Sequence, residues 1–202
     1  MQVRFVYDYR SIYSYLANSQ IDTLATDVEY QLVDIVAVMQ EVHNQPTPKC
    51  PAKLTYSKLD AQRWAEIYGI ELSPNDQLLE AMRSGAIPSG YFSRVGISAQ
   101  QLGIFKEVNN ALFRAVWAGT DDLITQNGRN QFSRKHEIPL VVWDLADAPE
   151  ILLELAKNNK SAIESGVFGA PTFYVGDEMY FGNDRIDFVR RSIENKHKRE
   201  IL

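Results

Sequence analysis

Ser11 and Pro171 are the two residues of this sequence whose type and setting suggest chemistry. Ser11 stands at the start of an amphipathic helical pattern, where its hydroxyl meets the positive end of the helix and can donate to an anion. Pro171 follows two closely spaced glycines and opens a short apolar strand, a position that tolerates a residue without an N–H group. Each has a plainer interpretation, because serine is a common helix N-cap and most prolines follow a trans peptide bond.

Composition limits the classes of protein to consider. The chain has 202 residues, of which 45% are hydrophobic and 11% aromatic, so it can bury a substantial core in one domain, with or without an insertion. A net charge of −5 without long runs of one sign argues against nucleic acid or a membrane surface as a partner. No apolar run approaches the roughly 18 residues of a membrane span, and charged residues interrupt the opening positions where a signal peptide would lie. We therefore expect a cytoplasmic protein with a small ligand or a protein partner.

The cysteine and histidine positions exclude two kinds of site. Cys50 is the only cysteine, so neither an intramolecular disulfide nor a Cys-x-x-Cys redox pair can form. His43, His136 and His197 are scattered, with no spacing that suits a metal ion. We expect no metal site and no thiol–disulfide exchange within the chain.

The order of predicted elements indicates the fold. Residues 3–9 and 28–36 predict two strands, joined by a helix whose apolar positions run from Ile12 to Leu24. Residues 43–53 are rich in proline and predict neither helix nor central strand. Helical patterns fill residues 56–165, although the apolar run at 140–143 suits a short strand and Ala148-Pro149-Glu150 opens a further helix. A hairpin of strands 172–175 and 178–181 and a last helix complete the chain.

This β-α-β, helices, β-β-α order predicts an α/β protein. We expect a thioredoxin-like four-stranded mixed sheet with a large all-helical insertion. Residues 1–50 and 166–202 would form the thioredoxin-like domain, and residues 51–165 the inserted helical domain.

Four separated segments carry a resemblance to a known family. They are residues 7–17, 44–53, 112–125 and 166–185. In this order and at these separations they resemble the 2-hydroxychromene-2-carboxylate isomerases and kappa-class glutathione transferases, which are glutathione-dependent relatives of the DsbA-type oxidoreductases. The chain departs from the pattern at Ile12, where the family has proline, and at Asn183, where the kappa-type pattern has serine.

The resemblance implies glutathione as cofactor and a cis peptide bond before Pro171. It makes Ser11 the catalytic residue, because a hydroxyl at a helix N-terminus favours the thiolate form of the bound thiol. The residues implied to bind glutathione are Asn44, Lys53, Ala170, Pro171, Asn183 and Asp184. Plainer roles stay open for some of them: a turn at Ala170, a helix N-cap at Asp184 and a solvated surface side chain at Lys53.

The implied function is a glutathione-dependent isomerase that acts on an aromatic or unsaturated carboxylic acid by reversible thiolate addition. Tyr56, Trp64 and Tyr91 are candidates for the aromatic pocket, and a homodimer is expected. The alternatives are a kappa-like glutathione transferase and a catalytically silent thioredoxin-like binding protein.

Overall fold

The centre of the molecule is a four-stranded mixed sheet. The structure is a computed structural model that describes residues 2–200, with side chains through Lys196. The strands are β1 (Gln2–Tyr7), β2 (Asp27–Leu32), β3 (Thr172–Val175) and β4 (Glu178–Phe181), in the order β2-β1-β3-β4. β1 pairs in parallel with β2 and antiparallel with β3, which pairs antiparallel with β4. The predicted fold class is confirmed.

Ten α-helices surround this sheet in the described part of the chain. They are α1 (Ile12–Asn18), α2 (Ile35–Glu41), α3 (Pro51–Tyr68), α4 (Asp76–Ser84), α5 (Tyr91–Gln101), α6 (Phe105–Trp117), α7 (Gln126–Lys135), α8 (Val141–Leu145), α9 (Pro149–Glu164) and α10 (Ile186–Glu200). Short 3-10 turns occupy Ile21–Leu24, Thr47–Lys49 and Asn183–Arg185. None of the described helices is both long enough and apolar enough to cross a membrane.

The alternation of side chains along β1 places a different core on each face of the sheet. Phe5 stacks on Tyr7 at 4.7 Å and on Phe173 at 4.9 Å between ring centroids, and Tyr7 stacks on Phe113 of α6 at 5.4 Å. Val6 points to the opposite face and joins a smaller core with residues of α2 and α9. One core therefore runs from the sheet into α6.

A buried polar network fastens the end of β1 to α6. The hydroxyls of Tyr7 and Tyr9 both donate to Asn109 Oδ1, at 2.5 Å and 2.9 Å, and all three residues are buried. Asn109 Nδ2 donates in turn to Asn18 Oδ1 of α1 at 2.9 Å. Trp117 Nε1 donates to the carbonyl of Tyr9 at 2.7 Å. These bonds satisfy polar groups that would otherwise be costly to bury, and they fix the segment that leads into α1.

Four predicted boundaries were wrong. The first strand ends at Tyr7 rather than at residue 9, because the chain turns at Tyr9 and Arg10, where the N–H of Ser11 donates to the carbonyl of Asp8 at 3.0 Å. The second strand ends at Leu32 rather than at residue 36, because Asp34 caps α2 by accepting from the N–H groups of Val36 and Ala37. The first helix stops at Asn18, and the apolar residues up to Leu24 lie in a separate 3-10 turn. The proline-rich segment does not stay irregular to its end, since Pro51 begins α3 at a position where the missing N–H costs nothing.

The suggested strand at residues 140–143 was also wrong, since this run forms the start of α8. Four apolar residues in a row cannot distinguish a buried strand from a short buried helix. Val142 and Trp143 are buried, and Trp143 Nε1 donates to Ser133 Oγ at 2.8 Å, so contacts with α7 decide the conformation.

Replacing Asn109 by leucine should destabilise the fold by about 2–6 kcal/mol, because two buried tyrosine hydroxyls lose their acceptor at about 1–3 kcal/mol each. Urea unfolding followed by circular dichroism measures the change. In a Tyr7→Phe background the same substitution should cost less, since only one hydroxyl is then orphaned. Equal costs in both backgrounds would contradict the shared role of Asn109.

Candidate functional site

Ser11 and Ala170 meet at the start of α1. Ser11 is half-buried and caps α1, its Oγ accepting from the N–H of Ser14 at 3.1 Å. The same Oγ donates to the carbonyl of Ala170 at 2.9 Å, across a sequence separation of 159 residues. Ser11 is thus both an N-cap and a contact of the segment before β3.

The segment before β3 is held on both sides. The Ala170–Pro171 peptide bond is cis, and the buried Pro171 accepts through its carbonyl from the N–H of Gly182 at 3.0 Å. Asn44 Nδ2 donates to the carbonyl of Phe168 at 2.7 Å, which ties the proline-rich loop to the same segment. The N–H of Ala170 has no hydrogen-bond acceptor among the described residues. It is a free backbone donor beside the Ser11 hydroxyl.

The remaining predicted site residues form no hydrogen bond with Ser11 or Ala170 among the described residues. Asn183 is buried, and its carbonyl accepts from the hydroxyl of Tyr68 at 3.1 Å. Asp184 is exposed and pairs with Arg185 at 2.9 Å. Burial raises the pKa of Tyr13 on α1, and the charge of Asp184 adds a smaller contribution. Lys53 is exposed in the first turn of α3, with no ion pair or hydrogen bond in the described part of the chain.

Next to Ser11, the structure contains a charge cluster that sequence reasoning missed. Asp8 is only 2% exposed and accepts from the backbone N–H of Arg10 at 2.8 Å and from the N–H of Ile35 at 2.9 Å. The Arg10 guanidinium lies between Asp8, at 2.7 Å, and Asp34, with which it also forms an ion pair. Arg10 Nη1 donates to Ser89 Oγ at 2.9 Å, which reaches the segment before α5. The cluster joins the start of α1, the start of α2 and the segment before α5.

Asp34 and Arg10 stay charged at neutral pH. Burial opposes the ionisation of Asp34, but the adjacent Arg10 outweighs it and lowers the pKa of the carboxyl, with help from hydrogen bonds of Ser89 and Ala37. Burial alone would lower the pKa of Arg10, and the two carboxylates raise it instead. Two carboxylates and one guanidinium leave a formal charge of −1 beside Ser11.

The three candidate pocket aromatics have different surroundings. Tyr56 is 59% exposed and donates to Asp60, which also accepts from Tyr13 at 2.9 Å. Trp64 packs on Tyr68, with ring centroids 5.3 Å apart. Tyr91 instead lines a small cavity together with Asp8 and Arg10. Tyr91 is therefore the candidate that shares a cavity with this charge cluster.

A signal for the missed cluster was present in the sequence. Asp8 and Arg10 interrupt a run of apolar and aromatic residues directly before Ser11, where a buried strand ends. A buried charge needs a partner, so this pair pointed to an ion-pair network. The third member, Asp34, was hidden because it lay inside the wrongly extended second strand. Among residues 2–200, no group of histidines, cysteines or carboxylates is arranged to hold a metal ion.

Comparison with known proteins agrees with this geometry. The family model of the DsbA-like thioredoxin domain matches residues 2–194, and the chain belongs to this family. Within it, the chain is 33% identical over 204 residues to the 2-hydroxychromene-2-carboxylate isomerase of Pseudomonas putida, covering 92% of this chain and 91% of that protein. The chain is thus a member of the 2-hydroxychromene-2-carboxylate isomerase family.

Two solved structures extend the comparison. The structure of a 2-hydroxychromene-2-carboxylate isomerase has a TM-score of 0.84 at 25% identity, covering 100% of this chain and 98% of that one. The cytosolic disulfide reductase DsbM from Pseudomonas aeruginosa, solved with GSH, has a TM-score of 0.62 at 14% identity, covering 98% and 100%. The second likeness concerns the fold alone.

Replacing Asp34 by asparagine should destabilise the protein by about 1–3 kcal/mol at pH 7, because Arg10 loses a charged acceptor. The pKa of Asp34 is lowered in the fold, so its contribution is present at neutral pH and is lost as the pH falls through the acidic range below the ordinary carboxyl value. Urea unfolding at several pH values should therefore show a difference between the two proteins that shrinks towards acid pH. Asp177→Asn, in the exposed turn between β3 and β4, is the control and should change little. A pH-independent difference would contradict the assignment.

Proposed function

We propose that this protein is a glutathione-dependent isomerase of the 2-hydroxychromene-2-carboxylate isomerase type, acting on an aromatic or unsaturated carboxylic acid. The observation that carries the proposal is the Ser11 hydroxyl at the start of α1, 2.9 Å from the Ala170 carbonyl, in a member of this family. Cys50, the single cysteine, caps α3 and does not join this contact. The reactive sulfur would therefore come with glutathione.

The contact between Ser11 and Ala170 suggests how the tripeptide is held. The cysteinyl N–H of glutathione would replace the Ser11 hydroxyl at the Ala170 carbonyl, and its cysteinyl carbonyl would accept from the free N–H of Ala170. This is the pairing of an extended peptide with an exposed backbone. The Ser11 hydroxyl, once released, would donate to the sulfur.

The start of α1 would favour the thiolate form. A thiol with a pKa of about 8.5 is mostly protonated at neutral pH, whereas the thiolate is the nucleophile. A hydrogen bond from Ser11 and the positive end of the helix each stabilise the anion by on the order of 1 kcal/mol. Together these effects raise the ratio of thiolate to thiol roughly 30-fold.

The other predicted residues would hold the ends of glutathione. Asp184 would accept from the γ-glutamyl ammonium, with Asn183 beside it, although Asp184 must first release Arg185. Lys53, which has no partner within the described residues, would pair with a carboxylate of glutathione or substrate. Asn44 would act by holding Phe168, and with it Ala170 and Pro171, in place.

In the reaction, the thiolate would add to the carbon–carbon double bond of an unsaturated cyclic hemiketal acid. The electron pair of that bond would form a new double bond to the hemiketal carbon as the ring oxygen leaves, so the ring opens to an enol and the original double bond becomes single. Rotation about that single bond would follow. The enol would later return to a ketone as its proton passes to the released ring oxygen and the original double bond forms again. Loss of the thiolate in this step would return glutathione and the isomerised product. The sulfur would act as a covalent catalyst that is not consumed. We propose further that the protein is a cytoplasmic homodimer.

The reaction itself is the first test. Addition of the protein to 2-hydroxychromene-2-carboxylate should change the ultraviolet spectrum of the substrate only when glutathione is present, with no net loss of thiol. Loss of thiol in proportion to product would indicate a transferase instead. No spectral change at high protein concentration, together with no thermal stabilisation by millimolar glutathione, would favour a binding protein without activity.

Ser11→Ala should lower kcat/KM about fivefold, because one of the two thiolate-stabilising interactions, worth on the order of 1 kcal/mol, is lost. Binding of S-methylglutathione, which has no thiol proton, should not weaken, since the substitution also frees the Ala170 carbonyl. Isothermal titration calorimetry and steady-state kinetics measure these effects. Ser14→Ala is the matched control on α1, because its buried hydroxyl has no hydrogen-bond partner among the described residues. Equal weakening of glutathione and S-methylglutathione by Ser11→Ala would contradict a role at the sulfur.

A further inference from the structure

β4 is an edge strand whose outer side has no partner in the described part of the chain. The N–H of Gly182 donates to the carbonyl of Pro171 at 3.0 Å, which fixes the alternation of hydrogen bonds along the β3–β4 pair. Glu178 and Tyr180 therefore turn their backbone groups towards β3, and Met179 and Phe181 turn theirs outwards. Neither of these two residues forms a further backbone hydrogen bond with any described residue. The edge offers two N–H donors and two carbonyl acceptors.

Nothing in the sequence of β4 protects this edge. Native proteins commonly block an exposed edge with lysine, proline or a bulge. The run Glu178–Phe181 contains no lysine or proline, and its register with β3 is continuous. Met179 and Phe181 are instead 39% and 41% exposed, and Phe168, also exposed, lies 4.5 Å from Phe181 between ring centroids. Exposed apolar side chains beside unpaired backbone groups are typical of an interaction surface.

The edge is complementary to a second copy of itself. With Tyr180 on a two-fold axis, Met179 of one copy lies opposite Phe181 of the other, and the outward groups of the two strands form four hydrogen bonds. The same pairing puts Met179 of each copy beside Phe181 of the other on one face of the sheet, because side chains of opposite residues share a face. The exposed apolar side chains would then cover one another.

The other face of β4 has the room and the charge that this pairing needs. A groove of about 330 Å³ lies there between β4 and α10, lined by Tyr180, Phe188 and Arg191 among others. Glu178 of the second copy would enter this groove, where Arg191 has no ion pair with any described residue and supplies a cation.

The two copies of α10 would not collide. α10 packs on β3, one strand in from the edge. Neighbouring strands are about 4.8 Å apart, so two α10 helices across three strand spacings would be about 14 Å apart. Helices in contact are about 8–10 Å apart, so space remains for the side chains between them.

We infer that β4 pairs in antiparallel fashion with β4 of a second copy of this chain, which joins two four-stranded sheets into one of eight strands. The inference rests on the homodimer proposed above and names its interface. The surface also adjoins the proposed glutathione site, because the ring of Phe181 covers Gly169, the residue before Ala170. A Cβ on Gly169 would lie 2.7 Å from that ring. Pairing of β4 would therefore hold this segment in place from outside the sheet.

Met179→Pro is the informative substitution, because the N–H of Met179 faces away from β3 and its loss removes a donor from the interface but none from the sheet. Sedimentation equilibrium should show a dimer for the wild-type protein and a dissociation constant raised at least tenfold for the variant. Met179→Lys is the second variant, since it keeps the N–H and places a charge on the edge. It should weaken the dimer in the same direction, with an unchanged circular dichroism spectrum.

Ile67→Lys is the matched control, because it places the same charge at another exposed apolar residue, on α3, and should leave the dimer unchanged. A monomeric wild-type protein overturns the inference, and so does any folded Met179 variant with the wild-type dissociation constant. Equal weakening by Ile67→Lys would also overturn it. If the wild-type dimer dissociates as expected but does not isomerise the substrate, the proposed function fails and the inference stands. A wild-type monomer that isomerises the substrate gives the reverse result.

Discussion

The site depends on the position of β1 in the middle of the sheet. β1 runs parallel to β2 and antiparallel to β3, with Val6 opposite Thr172. In an antiparallel pair the end of one strand lies beside the start of the other. The turn after β1 leads to Ser11, and Pro171 immediately precedes β3. Two segments far apart in the sequence therefore meet at the same end of the two central strands. The hydrogen bond between Ser11 and Ala170 is a direct result of this pairing.

The sequence predicted this arrangement because its strongest patterns are local. An aromatic and β-branched strand, a capped helix and a hairpin signal lie close to both halves of the site, and they determine the sheet order once the topology is recognised. The boundaries that failed depend on contacts between distant segments. The local pattern predicts that Asp34 is part of a strand. In the structure its side chain instead accepts from Arg10 and from an N–H group of α2. The hydrogen bond between Arg10 and Ser89 depends on how the helices pack against the sheet, and local sequence patterns do not predict that packing.

The two sides of the site are held by different kinds of interaction. Towards β3, backbone groups and the amide of Asn44 make the contacts, so this side offers hydrogen bonds without charge. Towards α5, an arginine between two buried carboxylates makes them. A backbone contact can recognise any extended peptide, whereas a charge cluster is sensitive to every change of side chain around it.

The stacked rings of Phe173, Phe5, Tyr7 and Phe113 form a column that makes the sheet dependent on α6. The column begins in the sheet and ends in α6, so α6 covers the core on that face. Removal of α6 would leave aromatic surface in water, at a cost of roughly 25 cal/mol for each Å² uncovered. The sheet therefore depends on α6, since neither half of the column is covered without the other.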